Sequence, residues 1–419
     1  LYSARRQLMD SPMHILYVTP YVPSRIRTRP YHFIRTLIGQ GHTVTLLTAA
    51  GTSSAEQAEI EELRAWGISV EVFPVPFTRS LFNCLLAFPS RQPLQAADAE
   101  HPQMATRLRT LALSETFDIV HIEHLRAARL VRAVPTTIPV VYDSVDCIAL
   151  LFEQAAERGT QWRSRLIAAL DLPRTRQYEA RLTARFNQVV VTSRRDQRAL
   201  EHLARHYLPS GVRPAPITVV TNGVDLNYFR PLESEPRSHT PPTIVLTGKM
   251  SYHANVAAAR YFAQDVLPRI WQRLPDVRFQ IVGKDPPEMV RQLAKDARIE
   301  VTGTVADLRP YLARADVAVC PARYAVGSQN KVLEAMAMGT PVVSSSAGAP
   351  PRAIEERSLL VADDEADFSQ ATLRILTDPL LASRLSRQGR RYVETHHNWE
   401  VSTQNLTAVY QAALSAGER

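Results

Sequence analysis

Short apolar runs recur along this chain, each separated from the next by a longer stretch of mixed polarity. Residues 14–18 form such a run and predict a first strand. Residues 19–29 make a loop that holds Pro20, Pro23 and three arginines. Residues 30–40 carry helical spacing, Gly41 ends them, and residues 43–48 are a second strand. Strand, loop, helix and strand in that order predict a right-handed crossover in a parallel sheet. Further buried strands are expected at 69–73, 118–122, 139–143, 188–192 and 217–221, with helices at 161–186 and 194–206. Residues 209–216 are proline-rich and read as a linker. The second half repeats the pattern. Its strands fall at 243–246, 278–282, 299–302, 317–320, 341–344 and 359–361, with helices that include 255–274 and 364–376. The closing helix carries Trp399, Leu406, Val409, Tyr410 and Leu414 at amphipathic spacing. The whole predicts an α/β chain with two Rossmann-like parallel sheets, each covered on both faces. Ligands are then expected outside the carboxyl ends of the strands, in a cleft between the two domains.

Residues 315–346 concentrate the candidate chemistry. A turn at Gly327 and Ser328 precedes a helix over 329–338, with Val332, Leu333, Ala335, Met336 and Met338 as its apolar residues. Gly339 fits the position just past the helix, and Pro341 prevents its continuation. The backbone N–H groups of Gly327, Ser328 and Gln329 would sit at the positive end of that helix, where a phosphate or a sugar hydroxyl is well received. Lys331 and Glu334 stand three apart and share a face. They offer a cation to a diphosphate and a carboxylate to ribose hydroxyls, although an ordinary surface ion pair has the same spacing. Gly248 and Lys249 follow the first strand of the second half, another arrangement that suits a diphosphate, and Lys284 follows a glycine in the same way. In the first half, His121, Glu123 and His124 end a strand and form a catalytic candidate, for which a satisfied core histidine is the plainer alternative. Asp143 and Asp146 form a weaker group of the same kind. No G-x-G-x-x-G is present, which disfavours dehydrogenase chemistry.

Composition adds three constraints. At 419 residues, with 45% apolar and 21% charged positions, the chain is of ordinary globular make-up and long enough for two or three domains. Cys84, Cys147 and Cys320 lie far apart with no metal-ligand spacing, so no metal is expected and a reducing cytoplasm is the simplest setting. Residues 1–12 lack a hydrophobic signal core and read as an extension before Met9 or Met13. The formal charge is +8, and residues 158–213 hold twelve arginines against Asp171, Glu179, Asp196 and Glu201. With no nucleic-acid-binding motif in view, an anionic membrane surface is the expected partner rather than nucleic acid, and a solvated basic face is the alternative. Leu81, Phe82, Leu85, Leu86 and Phe88 make an apolar segment too short to span a bilayer but long enough to lie in its interface.

The stretch N-K-V-L-E-A-M-A-M-G-T-P-V-V, residues 330–343, resembles the donor signature of retaining glycosyltransferases with two Rossmann-like domains, the GT-B fold, and of family 4 in particular. Its wording from Gly327 is similar to that of bacterial sugar transferases associated with exopolysaccharide and exosortase systems. The resemblance implies an acceptor-side domain at 13–216, joined by a crossing helix at 398–419, and a donor domain at 217–397. T-N-G-V-D at 221–225 resembles the segment that joins the two, and H-N-W-E at 397–400 the start of the crossing helix. It implies that Glu334 binds ribose, that backbone near Val305 meets the base, and that Lys249 stands where an arginine is usual. The family's following lysine falls on Ala254, so Lys331 or Lys284 would supply that charge. The first of its two donor-site glutamates falls on Val326, which leaves the donor sugar open. Arg25, Arg27 and Arg29 replace the glycines of the family's first loop, and its functional histidine falls on Glu123. The implied activity is metal-independent transfer of a sugar from a nucleotide-diphosphate sugar to a sugar or lipid-linked acceptor, with no cofactor. Candidate catalytic residues are His121, Glu123, Lys249 and Lys331. The expected location is cytoplasmic, peripheral to the inner face of the plasma membrane. A nucleotide-sugar epimerase and a catalytically silent sugar-nucleotide-binding protein are the alternatives.

Overall fold

The computed structural model describes residues 11–51, 53–74, 93, 96, 101–158, 162–231, 241–324, 329–355 and 357–417. The apolar segment 81–88, Cys84, Val326, Gly327 and Ser328 lie outside them. The chain divides into two compact units. One comprises Leu1–Glu153, Ile167–Thr221 and Trp399–Arg419, and the other Gln154–Leu166 and Asn222–Asn398.

The first unit is a parallel sheet of seven strands. In chain order they are β1 (His14–Thr19), β2 (Thr43–Ala50), β3 (Ser69–Pro74), β4 (Ile119–Glu123), β5 (Val140–Val145), β6 (Gln188–Val191) and β7 (Ile217–Val219), arranged 3-2-1-4-5-6-7. Successive side chains of a strand point to opposite faces. Leu16 and Val18 therefore join one core and Ile15 and Tyr17 the other. The connections are α1 (Thr28–Gly39), α2 (Ser54–Ala65), α3 (Pro102–Ser114), and α4 (His124–Ala127) running into a 3₁₀ segment at Ala128–Ala133, followed by α5 (Ile148–Arg158), α6 (Trp162–Thr183) and α7 (Arg194–Tyr207). Ser53 and Ser193 cap α2 and α7 by accepting a hydrogen bond from the backbone N–H three residues on. Helix α1 begins before the expected residue 30, so Arg29 stands in its first turn and not in the loop. β7 pairs with β6, so residues 217–221 belong to the first unit and the division falls after Thr221.

The second unit is a parallel sheet of six strands: β8 (Thr243–Thr247), β9 (Arg278–Val282), β10 (Ile299–Gly303), β11 (Val317–Cys320), β12 (Val342–Ser344) and β13 (Leu360–Val361), in the order 10-9-8-11-12-13. After β8 come α8 (His253–Tyr261), a π segment at Phe262–Val266 and α9 (Leu267–Trp271). The single helix expected over 255–274 is interrupted because Pro268 has no N–H to give and crowds the carbonyl one turn back, and the wider π turn absorbs that clash. The remaining helices are α10 (Glu288–Arg291), α11 (Arg309–Arg314), α12 (Asn330–Ala337), α13 (Pro351–Glu355), α14 (Glu365–Thr377), α15 (Pro379–His396) and α16 (Trp399–Gly417). The sequence pattern had offered no sign of α15. Val332, Leu333, Ala335 and Met336 seat α12 on one face of the sheet, and Gly339 follows it at φ 67°, as its position past the helix requires. Trp399, Leu406, Val409 and Tyr410 of α16 bury their side chains in the first unit's core.

Candidate functional site

Two polar sets stand at carboxyl ends of strands, one in each unit. In the second unit, Gly248 follows the end of β8 and Gly283 the end of β9. The Gly248 N–H donates to the carbonyl of Val282 at 3.0 Å. A Cβ on Gly283 would lie 1.8 Å from the Gly248 carbonyl oxygen, so only glycine lets these two strand ends approach. Lys249 follows, exposed, and the Asn255 side chain donates from Nδ2 to its carbonyl at 2.9 Å. Lys331 of α12 donates from Nζ to Asn255 Oδ1. Asn255 thus fastens the Gly248–Lys249 turn to the cation of a different helix. Ala254, its neighbour, is buried in α8. Of the two lysines considered for the missing charge, Lys331 reaches this corner. Lys284 is half-buried at the end of β9, where its carbonyl accepts from the Met250 N–H at 2.9 Å.

Glu334 lies one turn along α12 from Lys331. Its side chain keeps some exposed area, yet neighbours crowd the carboxyl closely enough that burial pushes its pKa up to about 7, with Lys331 pulling the other way. Gln329 is the residue before α12 and makes no side-chain cap bond. The first residue of that helix, Asn330, accepts from Asn222 Nδ2 at 3.2 Å through its side chain. Val305 is half-buried and packs against the core beneath β11. Asn255, Asn222 and Asn330 were not singled out from the sequence. An asparagine carries no spacing signal, and each acts here on a partner far along the chain.

In the first unit the polar groups are sealed in. Arg29 donates from Nε to Asp143 Oδ2 at 2.7 Å and from Nη1 to the Val220 carbonyl at 3.0 Å. Tyr17 and Tyr21 donate their hydroxyls to Glu123 at 3.1 and 2.8 Å. The Tyr410 hydroxyl and His121 Nδ1 are 2.9 Å apart, a hydrogen bond whose direction follows the tautomer, and Tyr17 stacks on the His121 ring. His121, Glu123 and Asp143 have no exposed surface. Burial first, and then Asp143, pushes Glu123 up to about 8, and burial also raises Asp143 against the pull of Arg29. Burial, with Arg29 adding to it, holds His121 well below its usual range. At neutral pH the set therefore contains one compensated ion pair, a neutral histidine and a largely protonated glutamate. Two non-glycine residues beside it take left-handed backbone, His124 at φ 68° and Val145 at φ 64°. Asp143 Oδ1 accepts from the Val145 N–H at 3.0 Å and so helps to hold that conformation.

His121 and Glu123 are enclosed, whereas Lys249 and Lys331 are joined through Asn255. The first-loop arginines also divide. Arg29 is turned inward on Asp143, while Arg25 and Arg27 are exposed and lie 3.7 and 3.6 Å from Glu62 and Glu56. Asp146 is half-buried, and crowding of its carboxyl together with Asp196 pushes it up to about 7. Glu179 accepts from the N–H groups of Ile148 and Ala149 at the start of α5, both at 2.8 Å, which makes that group a structural cap.

Residues 27–228 match the family described as Glycosyltransferase Family 4, and residues 241–378 match the one described as Glycosyl transferases group 1. The two halves of the chain thus match glycosyltransferase domain models of two types. Among curated relatives, a Corynebacterium glutamicum GDP-mannose-dependent monoacylated alpha-(1-6)-phosphatidylinositol monomannoside mannosyltransferase is 29% identical over 46% of this chain and 55% of its own length. An MMP alpha-(1->4)-mannosyltransferase of Mycolicibacterium hassiacum is 28% identical over 70% of this chain and 74% of its own. The chain spans about half the length of the first relatives it matches, 55% of the corynebacterial enzyme and 50% of a Mycobacterium tuberculosis glycogen synthase. Among solved structures, a sucrose-phosphate synthase from Thermosynechococcus elongatus superposes with a TM-score of 0.69 at 16% identity, covering 96% of this chain and 100% of its own. The Anabaena protein HepE in complex with UDP gives 0.62 at 15%, covering 95% and 99%. These likenesses identify the fold as GT-B, with two Rossmann-like parallel-sheet domains.

Removing one partner of a buried ion pair leaves the other charge without compensation, so Arg29→Ala should destabilise the first unit by about 3–5 kcal/mol. Denaturant unfolding checks this, and a loss below about 1 kcal/mol would mean that Asp143 is neutral in the folded protein. For Glu334 the folded pKa lies above its ordinary value of 4.5, so ionisation costs stability. That cost is absent below about 4.5, grows as pH rises through about 7 and is constant above it. Glu334→Gln should therefore gain about 1–3 kcal/mol on the parent between pH 4.5 and 8, measured as the change in their stability difference. A difference that does not vary with pH would show that this carboxyl titrates normally.

Proposed function

We propose that this protein transfers a sugar from a nucleotide-diphosphate sugar to a hydroxyl of a cell-envelope or exopolysaccharide acceptor, with retention at the anomeric carbon. The observation that carries this is the linked corner of the second unit, where Gly248, Lys249, Asn255 and Lys331 form one connected group beside Glu334. A departing diphosphate is a dense negative charge, and two fixed cations beside a glycine turn are placed to meet it. Asn255 limits the motion of Lys331 before the donor arrives, so less ordering remains to be done in the transition state. Glu334, one turn away, accepts from ribose hydroxyls. The acceptor proton passes to the departing phosphate, which removes the need for an exposed general base and accords with the burial of His121 and Glu123. Charge neutralisation by lysines needs no metal. The donor class is supported by the relative named for GDP-mannose and by the complexes of HepE with UDP and with UDP-glucose. Retention is supported by the resemblance of residues 330–343 to the signature of retaining enzymes.

Peripheral docking on the cytoplasmic face of an anionic membrane belongs to the same reading. Arg181, Arg185, Arg194, Arg198, Arg205 and Arg213 are exposed on α6, on α7 and in the segments that follow each. Each basic side chain near an anionic surface contributes about 1 kcal/mol, so several give reversible, salt-sensitive attachment. Among the described residues no helix is long and apolar enough to cross a membrane.

Incubation with a panel of nucleotide sugars, with and without a lipid-extract acceptor, tests the reaction, and NMR of the new glycoside reads its anomer. Turnover of donor into an epimer without acceptor, or an inverted product, would overturn the reading. Lys331→Ala and Glu334→Ala should each weaken UDP or GDP binding by about 1–3 kcal/mol in calorimetry, and Asn255→Ala by about 1 kcal/mol. Unchanged affinity in all three would place the donor elsewhere. Vesicle sedimentation should require anionic lipid and fail at high salt, and equal recovery on neutral vesicles would remove the membrane.

A further inference from the structure

A cavity of about 430 Å³ opens in the first unit between α3 and the 3₁₀ segment that continues α4. Arg109, Arg126, Arg129 and Arg132 line it, together with Thr106 and a floor that includes Leu130, and no carboxylate is among its lining residues. Local backbone explains the convergence. A 3₁₀ helix has three residues per turn, so side chains three apart stack along one edge. Arg129 and Arg132 are three apart within that segment, and Arg126 is three before them in α4. Runs of 3₁₀ beyond three or four residues are uncommon, and this one covers six. From the opposite wall, Arg109 and Thr106 lie on adjacent turns of α3.

Gathering these guanidiniums costs energy. Burial first, and then the charges of Arg132 and Arg185, lowers the Arg129 pKa from its ordinary value, with Tyr178 pulling the other way. Among the described residues no acid pairs with Arg109, Arg126 or Arg132. Elsewhere in the unit, arginines do find carboxylates, as Arg107 does with Glu71 at 2.6 Å and Arg176 with Glu153. A basic pocket with planar, multiply donating groups and apolar lining matches a phosphate bonded to a carbon chain or a sugar.

We propose that this pocket binds the phosphate or diphosphate group of a phosphorylated ligand. That the ligand is the acceptor rests on the function proposed above, whereas the anion site does not. The same chemistry is offered by a phospholipid or isoprenoid headgroup and by a soluble sugar phosphate.

The test uses the full chain and inorganic pyrophosphate as probe, followed by calorimetry in a Lys331→Ala background to suppress binding at the second unit. Arg109→Gln with Arg132→Gln removes two exposed side chains that make no ion pair among the described residues, so folding should be retained. This pair should lose about tenfold or more in pyrophosphate affinity, the loss of one charged hydrogen bond. Arg194→Gln with Arg205→Gln removes the same charge from α7 and should change affinity by less than about twofold. Equal losses in the two pairs, or none in either, would overturn the site. Vesicles of phosphatidylcholine with phosphatidic acid then identify the source. Displacement of the protein from them by pyrophosphate supports a lipid-borne phosphate, and pyrophosphate binding without such displacement supports a soluble one. Because the readout is anion binding, a protein that transfers no sugar would still give a decisive result.

Discussion

A parallel sheet covered on both faces leaves its strands almost no room for polar side chains except at their ends. That constraint governs both units of this protein. The strand interiors are runs such as Val317–Cys320, buried throughout, whose side chains divide strictly between two cores. Chemistry is therefore confined to the carboxyl ends, where each strand hands over to a loop and the helix N-termini begin. The two units meet the constraint in opposite ways. In the first, the ends of β1, β4 and β5 carry tyrosine, histidine, glutamate and aspartate, all closed over and bonded to one another. In the second, β8 and β9 are followed by glycines that admit backbone against backbone, and the charges beside them stand at or near the surface.

Closure of the first set has an electrostatic consequence. Glu123 and Asp143 are buried together, and burial raises both, yet only Asp143 has a cation in hydrogen-bond contact. The arrangement is stable because Glu123 holds its proton near neutrality and two tyrosines occupy its oxygens. A neutral His121 between them and Tyr410 adds no further charge. The left-handed backbone at His124 and Val145 persists because this network fixes the residues on either side of each turn. Such a set stabilises and orders strand ends. The reaction proposed above accordingly places its electrostatic demands on the lysines of the other unit.

The elements were legible in the sequence where apolar runs were short and cleanly bounded. The strands at 278–282 and 317–320 fall where the pattern put them. Helix boundaries were less so, because Pro268 is tolerated through a π turn that no periodicity announces. The direction of a charged side chain was not legible at all. Arg25, Arg27 and Arg29 alternate identically along the chain, but Arg29 turns inward because its partner, Asp143, lies 114 residues away. The arginine pocket was hidden for a related reason: a spacing of three is unremarkable on an α-helix and becomes an aligned edge only on a 3₁₀ one. Lys331 and Glu334 were visible because both sit on a single helix with a recognisable start and stop.

Asn255 ties two separate segments of the second unit together, the Gly248–Lys249 turn and the side chain of Lys331. The resemblance leads one to look for a lysine at 254, and this chain has a buried alanine there. A lysine at that point would need to leave the interior of α8 to reach a ligand. Instead Lys331 reaches across from α12, and the residue next to the vacant position receives it. The lysine stem is long and flexible, so an acceptor is needed to define where its ammonium stops. The Asn255 amide can do this because it has both kinds of group, an oxygen for the ammonium and an N–H for the carbonyl of Lys249. Aspartate would lack the donor and leave that carbonyl unmet, and lysine would lack the acceptor. The neutral amide thus couples the glycine turn to Lys331, and the corner's geometry depends as much on it as on either lysine.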